Sequence, residues 1–186
     1  KRRVVNWVGI GLSSLYMLFC VYHKFEFNAI FEKALTEENI DYNRYMSTPM
    51  ILNNVLWQGV AETDSTFVQG YYSFMQEEPR AHLVNTYKKN RFLLNGYEKN
   101  EDYKTLQWFS NGYYSLLKRP DGDLQYNDLR FGIMAGKNTS YKDFVFKFVI
   151  HKKGEFLDIF QPQERPEITE DSFKDLWERI NGKVDY

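Results

Sequence analysis

Residues Val4 to Tyr22 form a run of nineteen positions without a charged side chain, bracketed by Lys1-Arg2-Arg3 and by His23-Lys24. At about 1.5 Å per residue, a helix of this length rises roughly 28 Å, against a hydrocarbon core of about 30 Å. Trp7, Tyr16 and Tyr22 include aromatic rings near both ends, where membrane interfaces favour them. Ser13 and Ser14 can return their hydroxyls to carbonyls one turn back, and with Gly9 and Gly11 they offer a small-residue face for helix packing. The pattern predicts a transmembrane helix over residues 1–25. The alternative is the buried core helix of a soluble protein. A cleavable signal fits poorly because no A-x-A-like site follows the run, and a lipoprotein reading fails because bulky Leu18-Phe19 precede Cys20. A chain opening on Lys-Arg-Arg at the lip of an apolar helix is expected to be cut from a longer membrane protein. The positive-inside rule puts those three residues in the cytoplasm, with the side of the soluble part left open.

Residues 26–186 read as one soluble α+β domain. Phe27, Ile30, Phe31, Ala34 and Leu35 continue the helical spacing, and Pro49 closes that region. Residues 54–62 and 66–74 are rich in β-formers around Thr63-Asp64-Ser65, which predicts a hairpin. Two short helices are expected next. One covers residues 87–95 and stops at Gly96; the other covers 101–110, capped by Asn100 and stopped by Asn111-Gly112. A second hairpin, 113–118 with 123–134, turns at Pro120-Asp121-Gly122. Residues 141–152 place Phe144, Phe146, Phe148 and Ile150 on one face of a strand. Thr169 caps a last amphipathic helix that ends near Asn181-Gly182. Together these predict an antiparallel sheet of about five strands with covering helices.

Composition narrows the function. The formal net charge of −1 hides an asymmetry: all four basic groups of residues 1–25 face no acid there, so the remainder carries a net −5. A nucleic-acid partner is therefore not expected, because the soluble part lacks a basic stripe. The single cysteine, Cys20, can form no internal disulfide and leaves the compartment open.

Candidate chemistry is sparse. His23, His82 and His151 fall in three different elements without a second His or Cys at ligand spacing, so no metal ligand is assigned. No nucleophile elbow, P-loop, zincin or dinucleotide motif is present, and no catalytic residue is assigned. On a strand, Asp128 and Arg130 would share a face about 7 Å apart. That pair could line an anion-binding pocket or form an ion pair that fixes the strand. Trp57 reads as a ligand contact or core, Glu62 as a ligand contact or a solvated or capping carboxylate, and Tyr72 as part of an aromatic ligand site or of sheet packing. The ligand-binding candidates are thus Asp128, Arg130, Trp57, Glu62 and Tyr72.

The order Gly11-Leu-Ser-Ser-Leu-Tyr16, Pro49, Asn54-Val-Leu-Trp57, Glu62-Thr-Asp64, Gly70-Tyr-Tyr-Ser73 and Asp128-Leu-Arg-Phe-Gly132 resembles the C-terminal region of bacterial membrane-bound metal-dependent hydrolases of the YdjM-like type, over about residues 1–152. The resemblance implies a bacterial inner-membrane protein whose divalent-metal site lies in upstream membrane helices, since the His- and Asp-containing motifs of that family have no counterpart here. It implies the lipid bilayer and those upstream helices as partners, and a C-terminal accessory role for this chain. The alternative is a non-enzymatic, membrane-anchored module that binds a ligand or partner. The substrate is left open by both.

Overall fold

A computed structural model of the chain describes residues 2–51, 53–133, 140–154, 156–163 and 170–183. It opens on one unbroken helix, α1 (Arg2–Glu37). An antiparallel meander follows: β1 (Arg44–Pro49), β2 (Leu56–Glu62), β3 (Thr66–Ser73) and β4 (His82–Lys88), in spatial order β1-β2-β3-β4. A 3₁₀ turn (Arg91–Leu94) and α2 (Glu101–Phe109) lead to a second antiparallel sheet. Its strands are β5 (Tyr114–Lys118), β6 (Leu124–Asp128), β7 (Lys147–Lys153) and β8 (Phe156–Phe160), again in sequence order. The chain ends on α3 (Glu170–Ile180). The fold is α+β, as the hairpins and helices of the sequence predict. The single sheet of about five strands becomes two sheets of four.

The first sheet is buried on both faces, and the period of two in β2 assigns them. Trp57 and Ala61 join Phe27, Phe31, Ala34 and Leu35 of α1 in one core. Val60 points the other way and joins Phe67, Tyr87, Tyr113, Leu129, Ile133 and Phe144, the core shared with the second half of the chain. A third core lies under α2, where Tyr103 and Leu106 meet Tyr114, Leu116, Tyr126 and Ile150.

Phe31 seats α1 on the sheet. Gly59 and Gly70 are direct cross-strand partners, and the Phe31 ring occupies the space their missing side chains leave. A Cβ on Gly59 would lie 2.6 Å from Phe31 Cε1, and one on Gly70 would lie 3.0 Å from Phe31 Cε2 and 2.8 Å from Leu83 Cδ2. Glycine inside a strand weakens it, but here it admits a close approach. Polar bonds set the direction of the sheet along the helix. Lys24 Nζ donates to Ser47 O at 3.1 Å, Ser47 Oγ to Asn28 Oδ1 at 2.6 Å, and Tyr45 OH to Glu32 Oε1 at 2.6 Å. β1 therefore runs antiparallel to α1. The β1–β2 turn and the start of the β3–β4 loop lie beside His23. The rest of that loop runs back along α1 to Arg80, which pairs with Glu37 and Glu38, and the β2–β3 turn lies toward Glu37.

The apolar window of α1 is wholly exposed, and the helix is long and apolar enough to cross a membrane. Among the described residues nothing buries that window, unlike the core helix that the pattern also allows. The buried positions of α1 begin only at His23.

Several expectations change. Residues 44–49 form an edge strand, where Pro49 is tolerated at the terminus. The helix expected over 87–95 is instead the end of β4 and a single 3₁₀ turn, because Tyr87 pairs with Phe67 and Asn90 turns left-handed at φ 50°. The strand expected over 141–152 shortens to β7, starting only at Lys147, and it pairs with an unforeseen β8 across Gly154 at φ 62°. Asn100 caps α2 as expected, its Oδ1 accepting from Tyr103 N at 3.0 Å. α3 stops at Asn181-Gly182, and its expected cap Thr169 lies outside the described residues.

Gly59→Ala is expected to lower the unfolding free energy by about 1–3 kcal/mol through overpacking. Chemical denaturation in detergent micelles measures it. Combining the change with Phe31→Leu should restore part of the loss if the ring contact is its cause.

Candidate functional site

Glu62 closes β2 and meets three cations. Arg44, its cross-strand partner in β1, places Nε 2.6 Å from Oε2. Lys89, one residue beyond β4, places Nζ 2.7 Å from Oε1, and Arg91 Nη2 reaches the same oxygen at 3.3 Å. Glu62 and Lys89 are buried, whereas both arginines are half exposed. Burial alone would raise the Glu62 pKa, but hydrogen bonds from Lys89 and Arg44 outweigh it and hold the carboxyl below its usual range.

The same cations reach into the second half of the chain. Arg44 Nη2 donates to Asn111 O at 2.9 Å, and Arg91 Nη2 donates to Gly112 O at 3.3 Å. Arg44 lies 4.4 Å above the Tyr113 ring, and Arg91 lies 5.1 Å above that of Tyr114. Asn111 and Gly112 adopt positive φ, 50° and 75°, so the α2–β5 turn presents both carbonyls to the guanidinium groups. The backbone reinforces the joint, with Leu116 N donating to Lys89 O at 3.1 Å. Glu62 thus anchors an ionic joint between the two halves.

Asp128 and Arg130 do meet, by a different geometry from the strand that their spacing suggests. β6 ends at Asp128, and Leu129–Phe131 form a 3₁₀ turn. Arg130 folds back to grip the fully buried Asp128 carboxylate, with Nη2–Oδ2 at 2.6 Å and Nε–Oδ1 at 3.0 Å. Asp128 Oδ1 also accepts from Arg130 N at 3.1 Å, which caps the turn. The guanidinium lies 5.1 Å from the Phe109 ring and 5.5 Å from that of Phe131.

A buried amide network ties this clamp to the first sheet. Gln58 Nε2 donates to Arg130 O at 2.8 Å, and Gln69 Nε2 donates to Gln58 Oε1 at 3.1 Å. Tyr87 OH donates to Gln69 Oε1 at 2.8 Å. Gly132, at φ 70°, leaves room for the Gln58 amide, since a Cβ there would lie 2.6 Å from Oε1.

Trp57 and Tyr72 are cross-strand partners on the opposite face of the first sheet. Trp57 packs at 5.8 Å on Phe27, and its indole N–H donates to Asn54 O at 3.3 Å. Tyr72 packs at 5.0 Å against Phe74, and burial, then the charge of Glu26, raises its hydroxyl pKa. The five candidates therefore occupy three places: an ionic joint, a clamp and a helix-facing core. They form no common pocket.

The histidines are also apart. His23 Nδ1 donates to Asn54 O at 2.8 Å, and its ring lies 4.0 Å from both Phe19 and Phe74. His82 lines a groove with Ala34, Glu38 and Arg80, and burial, then Arg80, lowers its pKa. His151 Nδ1 lies 2.5 Å from Asp123 Oδ1 in a surface groove of about 610 Å³ that also contains Lys118 and Lys152. Among the described residues, no three His, Cys, Asp or Glu side chains gather to hold a metal ion.

Arg44, Lys89 and Arg91 are the residues that the sequence did not single out. They stand at strand ends far apart in the chain, and only the sheet register brings them to Glu62. Chemically, Glu62 is met by three cations and Asp128 by one bidentate guanidinium, which suits cross-linking. No family model, no curated protein and no solved structure matches the chain.

Glu62→Gln is expected to lower unfolding free energy at neutral pH by about 3 kcal/mol, because it leaves Lys89 poorly compensated. The native pKa lies below the ordinary 4.5. The carboxylate's contribution is therefore complete above that value and is lost as pH falls through the native pKa. Denaturant curves at stepwise lower pH should show the wild type losing its advantage over Glu62→Gln in that window.

For the clamp, Asp128→Asn and Arg130→Gln should each destabilise the fold. Their double-mutant cycle should return a coupling of about 1–3 kcal/mol. Additive losses would mean that the two side chains act independently.

Proposed function

We propose that the chain is the membrane-anchored, C-terminal accessory domain of a metal-dependent hydrolase of the YdjM-like type in the bacterial inner membrane. The observation that carries the anchoring is α1. Its apolar window is exposed throughout, and the same unbroken helix enters the core of the first sheet. A wholly exposed apolar helix needs an apolar solvent, and a bilayer of matching thickness supplies one.

The hydrolase part rests on the resemblance of the motifs from Gly11 to Gly132. The described residues do not fit a metal themselves, since no ligand cluster is present among them. On the resemblance, the metal chemistry of such a hydrolase belongs to upstream membrane helices. The residues of this chain contribute support: Phe31 mounts the sheet on α1, and Glu62 joins the two halves. A second reading, a non-enzymatic anchored module, is favoured by the exposed aromatic side chains of Phe109 and Phe131 around Arg130. Such a surface suits a partner protein.

The full chain is expected to float with phosphatidylcholine vesicles on a density gradient and to resist alkaline carbonate extraction. Recovery in the soluble fraction would overturn the anchor. Ester and phosphoester substrates with Zn²⁺, Mn²⁺ or Mg²⁺ should show no turnover by the purified chain. Metal-dependent hydrolysis would place the chemistry within these residues and sink the accessory role.

A further inference from the structure

The way the domain is mounted fixes which of its surfaces meets lipid, given the membrane reading above. α1 has no break or linker between its apolar window and its domain-facing half. The domain grips it one residue after Tyr22. His23 donates to Asn54 O in the β1–β2 turn, and its ring stacks on Phe74 at the start of the β3–β4 loop. On the next residue, Lys24 Nζ donates to Ser47 O and to Ser47 Oγ at 3.3 Å. The β1–β2 turn and the start of the β3–β4 loop are thus held at the level where the apolar run ends, while Arg80 at the end of that loop pairs with Glu37 and Glu38 further along α1.

With that run filling a core about 30 Å thick, His23 falls at the hydrocarbon edge. The headgroup layer beyond is only about 5–7 Å deep on each side. The turns have no room to stand clear of it. Each carries one exposed apolar side chain at that level, Ile51 at 67% and Met75 at 58%. The opposite turn of the same sheet is the polar Thr63-Asp64-Ser65. Water is the poorer solvent for one end of this sheet and the better solvent for the other.

We propose that the β1–β2 turn and the Met75 end of the β3–β4 loop form a second, shallow membrane contact. Ile51 and Met75 insert at the headgroup–acyl boundary of the leaflet from which α1 emerges. Glu77 and Glu78 are in the same loop, Lys24 is engaged by Ser47, and Arg80 at the far end of the loop is turned to Glu37 and Glu38, so the described residues form no basic patch beside Ile51 and Met75. The contact is therefore apolar and needs no anionic lipid, unlike a polybasic lipid site. It converts a one-helix tether into a fixed orientation, with the first sheet upright on the bilayer and the Glu62 joint at its far end.

The test uses the full chain in phosphatidylcholine vesicles, with Cys20→Ser removing the native thiol. Single cysteines, Ile51→Cys, Met75→Cys, Asp64→Cys and Leu12→Cys, carry an environment-sensitive bimane label. Variants are used only where thermal unfolding stays near that of the parent. Labels at 51 and 75 should be blue-shifted and quenched several-fold more by a spin label at carbon 5 of the lipid chain than by aqueous iodide. The label at 64 should show the reverse, and the label at 12 should respond to a deeper spin label.

If the label at 12 is lipid-quenched while those at 51 and 75 respond to iodide like that at 64, the turns stand free and the contact is overturned with the span intact. If labels at 51 and 75 are shielded from both quenchers, protein covers them and the proposal fails. If the label at 12 also responds to iodide, the membrane reading fails and the contact with it.

Discussion

The Phe31 ring on the Gly59–Gly70 pair is the contact on which the architecture turns. A helix can approach a sheet this closely only where facing side chains are absent, and two glycines in register make that space. Once the ring is seated, Phe27 falls on Trp57, and Ala34 and Leu35 fall within the same core. The polar bonds at Ser47 and Tyr45 then fix the register of β1 along the helix. Packing of this kind is steep: a displacement of a fraction of an ångström already forfeits much of the dispersion energy. Helix and first sheet therefore behave as one body. A tilt of the apolar window in a bilayer would be transmitted to the sheet rather than absorbed at a hinge.

The second half is joined by other means. Between the sheets, the apolar core of Val60, Phe67, Tyr113 and Phe144 is flanked by charge and amide groups. Glu62 with its cations stands at one side, and Gln58, Gln69 and the Arg130 carbonyl at the other. Buried polar groups of this density contribute little net stability compared with apolar packing, yet each is costly to leave unmatched. They thus disfavour any relative placement of the two halves except the one that satisfies them all. The saturation of Glu62 follows from that role. Surrounded by guanidinium and ammonium groups, it is held ionised, and its lone pairs are directed at fixed partners. Both features suit an anchor and oppose proton transfer.

Much of the fold was legible in the sequence because its signals are local. The Thr63-Asp64-Ser65 and Pro120-Asp121-Gly122 turns, the Asn100 cap and the Asn181-Gly182 stop each act within a few residues, and all four stand where the pattern put them. The losses are non-local. β1 carries Pro49 and little apolar periodicity, and only its pairing with β2 makes it a strand. Tyr87 looks helical by its neighbours and is captured by Phe67 across the sheet. The division into two sheets depends on where β4 gives way to the Asn90 turn, a single left-handed residue. Gly59 and Gly70 were visible as strand glycines, a known sign of close approach, but the sequence does not say that Phe31 is what approaches.

The candidate site shows the same limit more sharply. Asp128 and Arg130 were paired correctly by proximity, yet the pairing arises in a 3₁₀ turn and serves to cap it. Glu62 was chosen without its partners, because Lys89 and Arg91 lie 27 and 29 residues away and Arg44 lies 18 away. Trp57 and Tyr72 share a strand pair but face α1, on the opposite side of the sheet from Glu62 and Gln58. A period of two places these side chains on opposite faces, so no ligand of ordinary size could touch Trp57 and Glu62 together through the sheet. That separation argues against a single binding pocket more strongly than any one side-chain contact does. What unites the candidates is mechanical. Each stands where one layer is fastened to the next, from the apolar helix through the first sheet to the second.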